Sequence, residues 1–151
     1  MPEPHTGELY GLNIHYTVGV ILTKPGTSEF LLAERRPDSG RAGISGHINE
    51  DPRTDKGEDP FRVILREVAA QTRLTVVQHT LHLAAEQFMA SNRCSLGVTG
   101  HYWKVYQVEA LGTPVGNSEH VKSLGWYPKD QLPSMYFEPV WRHWFTRLGL
   151  I

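Results

Sequence analysis

Residues 57–74 read GEDPFRVILREVAAQTRL and carry the clearest local pattern in the chain. Asp59-Pro60 opens it with a carboxylate able to cap free N–H groups and a proline at the first helical position. Phe61, Ile64, Leu65 and Val68 follow at spacings of three and four, giving one apolar stripe. Neither Gly nor Pro interrupts residues 61–81, so the pattern predicts a helix running to about Thr72. Residues three and four apart on that helix are neighbours, which groups Glu67, Ala70 and Gln71 on one face.

Working outward toward the N-terminus, residues 40–57 show no helical period. They hold Gly40, Gly43, Gly46 and Gly57, then the polar run Asn49-Glu50-Asp51-Pro52-Arg53-Thr54-Asp55-Lys56, and read as one long loop. Ile14 to Leu22 (IHYTVGVIL), closed by Lys24-Pro25-Gly26, and Phe30 to Glu34 (FLLAE) read as two strands of a hairpin. Residues 1–13 read as a flexible lead-in. Toward the C-terminus, Leu74 to Met89 and Ser95 to Ala110 are strand-like, and Leu124 to Tyr127 is a short strand stopped by Pro128. Phe137 to Leu148 carries Val140, Trp141, Trp144, Phe145 and Leu148 at helical spacing. The order β, β, loop, α, several β, α predicts an α/β (α+β) sandwich with a mixed sheet.

A chain of 151 residues with 40% hydrophobic side chains fits one domain with an ordinary core. Lys and Arg total 15 against 16 Asp and Glu, a net charge of −1, which supports neither a broad basic face for nucleic acid nor a polybasic membrane surface. Cys94 is the single cysteine, so neither an internal disulfide nor a thiolate zinc cluster can form, and an inert thiol is the simplest reading. The first residues lack the basic-then-apolar order of a signal peptide, and no apolar run approaches a membrane span. A cytoplasmic location is the expectation.

Glu58 is followed after seven residues by Arg66-Glu67-Val68, which resembles the Nudix box, G-x5-E-x7-R-E-U-x-E-E-x-G-U with U a bulky aliphatic. Phe30 to Arg35 is similar to the second strand of Nudix domains, and Ser45-Gly46-His47-Ile48 to the Gly-Gly strand that enters the box. Glu119 through Leu132 resembles the late acidic loop, tryptophan strand and "deL" segment, so the likeness spans about Tyr16 to Leu148. The resemblance implies an α/β/α sandwich and hydrolysis of a nucleoside diphosphate linked to another moiety. It also implies Mg²⁺ or Mn²⁺ held by box carboxylates, hard ions that take carboxylate and phosphate oxygens and activate water. On that reading Glu58, Glu67 and Glu119 are the metal ligands and catalytic carboxylates, with Arg66 orienting them through bidentate contacts. Arg35 and Arg36 would clamp phosphate, with His47 and Gly46 beside the substrate.

The chain departs from the box at three places. Ala70 and Gln71 stand where the pattern has its Glu pair, and Arg73 stands at the later glycine. Alanine cannot coordinate, an amide is a neutral ligand, and Arg73 adds positive charge. Gly46 fills the box glycine's role only across an insertion of about six residues within 49–56. Glu50, Asp51, Asp55 and Glu86 are other acids that could compensate, each also readable as a solvated surface group.

Three functions follow from this pattern. A divergent hydrolase with a reduced metal site is the first, and a binding module that keeps the pocket for a small phosphorylated ligand or a protein is the second. The third is metal-independent chemistry using His47 or an inserted-loop acid. Nudix-like proteins are often dimers, so a homodimer is a further expectation. His79 and His82, read as strand residues, fall on opposite faces and make no ligand pair. His101, His120 and His143 show no partner by spacing. Trp103, Tyr106, Trp126 and Tyr127 read as base-stacking candidates or, more simply, as sheet packing.

Overall fold

In a computed structural model, residues 3–9, 12–51, 53, 57–89, 100–116, 119 and 121–151 are described. The helix expected over 60–72 is α1, Pro60–Thr72. Asp59 caps it by accepting the Phe61 N–H at 2.9 Å. It ends at Arg73, which takes a left-handed φ of 61° and donates its N–H to the Ala69 carbonyl.

Nine strands are present among the described residues. They are β1 (Thr6–Leu9), β2 (Leu12–Thr23), β3 (Glu29–Glu34), β4 (Arg41–Ala42), β5 (Ile44–His47), β6 (Thr75–Val76), β7 (His82–Met89), β8 (Gly100–Leu111) and β9 (Ser123–Pro128). The second helix, α2, is Pro139–Arg147. Strand β2 is the axis of the sheet: β1, β3 and β5 pair with it antiparallel, and β8 pairs with it in parallel from Ile14↔Gly100 to Thr23↔Glu109. Strands β6 and β7 extend the β8 side, while β4 and β9 flank β3.

Alternation along β2 divides the core into two layers. Val18, Val20 and Leu22 face α1 and pack with Val63, Ile64 and Val68. Ile21 faces the other way with Trp103, Val105 and the α2 residues Trp141, Trp144 and Phe145. The result is the expected α/β/α sandwich with a mixed sheet. At nine residues α2 is too short to hold as an isolated helix, so its stability comes from these aromatics. Trp141 meets Trp103 edge-to-face at 5.9 Å, and both Trp141 and Trp144 are fully buried.

Four parts of the sequence reading change. The segment 40–57 is not one loop: β4 and β5 lie within it, and β5 is the strand that the resemblance of Ser45 to Ile48 implied. Gly43 makes this possible, because a Cβ there would come within 2.6 Å of the Trp141 ring. Residues 74–89 are not continuous strand: β6 gives way to a 3-10 turn at Gln78–Thr80, which carries His79, before β7 begins at His82. Thr6–Leu9 within the lead-in forms β1, in register with His15 to Leu12. Helix α2 starts at Pro139, two residues after Phe137, with Glu138 at its N-cap. Cys94, Asp55 and His120 lie outside the described residues, as does the first part of the Ser95 to Ala110 segment.

Candidate functional site

Strand β5 runs beneath α1, and glycine lets them approach. A Cβ on Gly46 would lie 2.6 Å from Glu67 Cγ, so the Glu67 side chain rests directly on the strand. Around it the structure gathers most of the box. Arg66 Nη1 donates to both oxygens of Glu58 at 2.8 Å, and Arg66 Nε sits 3.5 Å from Glu67 Oε1. Glu58 Oε1 also accepts the Asn49 N–H at 3.0 Å, tying the helix start to the strand exit. One guanidinium therefore bridges the two box carboxylates.

The decisive contact belongs to Gln71. Its amide nitrogen donates to Glu67 Oε2 at 2.7 Å and to the Ser45 carbonyl at 2.9 Å. Two oxygens, one charged and one neutral, thus converge on a single N–H donor group. A divalent cation would take such oxygens, but here an amide stands between them. Ala70, exposed on the next position, brings no ligand atom. This donor set does not fit the box metal that the resemblance implies: Glu58 is engaged by Arg66 and Asn49, and Glu67 is shared by Arg66 and Gln71.

Glu119 lies in an exposed turn between β8 and β9. Glu50 accepts from His5 Nδ1 at 3.0 Å and from the Thr6 N–H, contacts that hold its carboxyl below the usual range. Asp51 pairs with Arg53, which lowers its pKa in the same way. Glu86 sits on β7 beside Tyr102, whose phenol is pushed up by burial first and then by its hydrogen bond to Glu86.

Two clefts open at the N-terminal end of α1 and share Glu58. One, of about 340 Å³, is lined by Glu50, Asp51, Arg53, Glu58, Arg62 and Arg66. The other, of about 470 Å³, is lined in part by His5, Tyr16, Glu86, Tyr102 and Lys104. The His5 ring stacks on Tyr16 at 5.1 Å, and Tyr16 lies 6.2 Å from Tyr102. A charged cleft therefore adjoins an aromatic one. Tyr16 and Tyr102 escaped the sequence reading, although the repeated His-Tyr pairs at 15–16 and 101–102 align in parallel register.

Other residues singled out from sequence lie elsewhere. Arg35 donates to Ser45 Oγ at 3.0 Å and sits 3.5 Å from Glu138, which draws it toward α2. Burial raises the Glu138 pKa, and Arg35 and Arg36 pull it back down. Arg36 is exposed at the turn after β3. His47 alternates with Gly46 and so faces away from Glu67; its Nε2 lies 3.2 Å from His101 Nε2. Trp103 belongs to the α2-side core, while Trp126 and Tyr106 pack on the α1 side.

No protein-family model matches the sequence, and comparison with curated proteins finds no match. Solved structures do match in shape. A NUDIX-family hydrolase from Clostridium perfringens superposes with a TM-score of 0.66 at 19% identity, covering 92% of this chain and 99% of its own. The MutT protein of Bacillus halodurans gives 0.65 at 15% identity, over 89% and 81%. The NUDIX domain of Shewanella oneidensis NrtR, complexed with ADP ribose, gives 0.61 at 18% identity, over 90% and 88%. This chain has the Nudix fold. At such identities the likeness extends to the fold and no further.

Proposed function

We propose that this protein binds a small phosphorylated ligand of the nucleoside-diphosphate type, holding it without a metal on the box helix. The observation that carries the reading is the pair of adjoining clefts: the Arg62 guanidinium for phosphate oxygens, in a cleft where Arg53 and Arg66 already offset Asp51 and Glu58, and the Tyr16 and Tyr102 rings for a flat base. The ADP ribose held by one similarly folded domain is a ligand of this type. Gln71 and Arg66 supply the N–H donors and positive charge that satisfy the box carboxylates, which leaves the site suited to binding rather than to metal-assisted hydrolysis.

A divergent hydrolase is the second reading, favoured by one observation. Glu67 Oε2 and the Ser45 carbonyl already point at one spot, so a Gln71 side chain that swung aside would leave two oxygen ligands in place.

Calorimetric titration with ADP ribose and with pyrophosphate, in chelator and again in Mg²⁺, separates the two. The binding reading expects saturable binding in chelator with no product formed in Mg²⁺, and an Arg62→Ala loss of about tenfold, one charge-assisted hydrogen bond. Product formation in Mg²⁺ that disappears in Glu67→Gln establishes the hydrolase instead. Absence of binding to either compound refutes the first reading.

A further inference from the structure

On the sheet face covered by α2, three histidines from three strands meet. His15 on β2 is opposite His101 on β8, and Thr17, two residues further on β2, is opposite His47 on β5. Alternation places all four side chains on one face. One ring nitrogen from each histidine lies within 4.8 Å of the other two. The His15 ring is 5.0 Å from that of His47 and 6.1 Å from that of His101. His15 and His101 are 4% and 5% exposed, and His47 is half-buried.

The spacing suits a shared cation. With Zn–N bonds of about 2.0–2.1 Å, two ligands of a tetrahedral ion stand roughly 3.3–3.4 Å apart. The Nε2 atoms of His47 and His101 are 3.2 Å apart. Burial, and then the neighbouring His101 and His15, lower the His47 pKa to about 4, and burial lowers that of His15. Neutral imidazole is the form that ligates. Three imidazoles with no carboxylate in the group select late first-row ions over Mg²⁺ or Ca²⁺.

A second observation comes from Thr17. Its Oγ1 is buried and has no hydrogen-bond partner among the described residues. A buried hydroxyl left so is uncommon, and a water on a metal beside it would satisfy it. An N–H···N bond between His47 and His101 would reproduce their separation, but it would not account for the Thr17 hydroxyl.

We propose that His15, His47 and His101 form a binding site for one zinc-class transition-metal ion, with water in the fourth position next to Thr17. The site lies across the sheet from Glu58 and Glu67 and draws nothing from the box. It therefore stands or falls separately from the ligand reading above.

The test is calorimetric titration of the chelator-dialysed chain with Zn²⁺, with Co²⁺ as an optical probe. One equivalent of Zn²⁺ binds, and Co²⁺ gives the intense visible bands of a low-coordinate site. His47→Gln, at the half-buried position, weakens Zn²⁺ binding by at least about 100-fold. His79→Gln, exposed in the 3-10 turn, leaves it unchanged. Undiminished binding in a folded His47→Gln chain overturns the proposal. Should that variant fail to fold, the unaltered chain still decides: no Co²⁺ bands and no Zn²⁺ heat refute the site.

Discussion

Replacing Gln71 by Glu turns the contact at the heart of the box into its opposite. The amide now donates to Glu67 Oε2 at 2.7 Å and to the Ser45 carbonyl at 2.9 Å. A carboxylate there loses both bonds and sets two negative charges at similar range. A hydrogen bond to a charged group contributes about 1.5–3 kcal/mol, and like charges 4 Å apart repel by about 4 kcal/mol near a protein surface. The adjacent Arg66 guanidinium and solvent offset part of the repulsion, so Gln71→Glu in chelator costs about 2–4 kcal/mol. For a chain of this size that lowers Tm by roughly 4–16 °C. Mg²⁺ or Mn²⁺ reverses the loss, because the variant restores two carboxylates and a carbonyl around one point. Saturation at about 100 times Kd returns roughly 2.7 kcal/mol. Thermal and urea unfolding followed by tryptophan fluorescence reads both effects, with the unaltered chain as reference. The reasoning is refuted if Gln71→Glu unfolds like the parent in chelator, or if Mg²⁺ protects the parent as strongly as the variant.

Two further outcomes concern stability. The folded His47 pKa, about 4, lies below its unfolded value of 6.5, so the unfolded chain takes up a proton first as pH falls. The His47 contribution to the stability of the metal-free protein is therefore constant above about pH 6.5 and is lost between pH 6.5 and 4. That loss is at most about 3 kcal/mol, reduced by solvent screening, and His47→Gln lessens the slope in urea titrations while leaving the share of His15, whose pKa burial also lowers. Arg73 holds a φ of 61° that glycine adopts without strain, so Arg73→Gly raises stability by about 0.5–1 kcal/mol in the same assay; a fall would show that the guanidinium contributes more than the backbone strain costs.

Local features carried most of what could be read from the chain. Asp59-Pro60 and the stripe Phe61, Ile64, Leu65, Val68 mark α1 because capping and amphipathicity act within a few residues. The left-handed Arg73 explains why the box pattern favours glycine there. Strand β4 was hidden and β5 showed only through the resemblance of Ser45 to Ile48 to a family strand, because two- and four-residue strands among glycines have no period of their own; pairing with β3 and β2 makes them strands. The clustering of His15, His47 and His101 is non-local in the same sense. Their positions are 32 and 54 residues apart, and only the parallel β2–β8 register joined to the antiparallel β2–β5 register brings them together. His47 looked like a pocket residue because it follows Gly46. Strand alternation sends it to the other side.

Strand β2 serves both faces at once. Tyr16 lines the aromatic cleft and His15, one residue earlier, joins the imidazole cluster on the reverse. The two surfaces are written on one strand like two texts in alternate letters. A slip of one residue would hand each side chain to the wrong face. Neither surface can be remodelled by shifting this strand without erasing the other, so any insertion or deletion that either tolerates must fall outside β2.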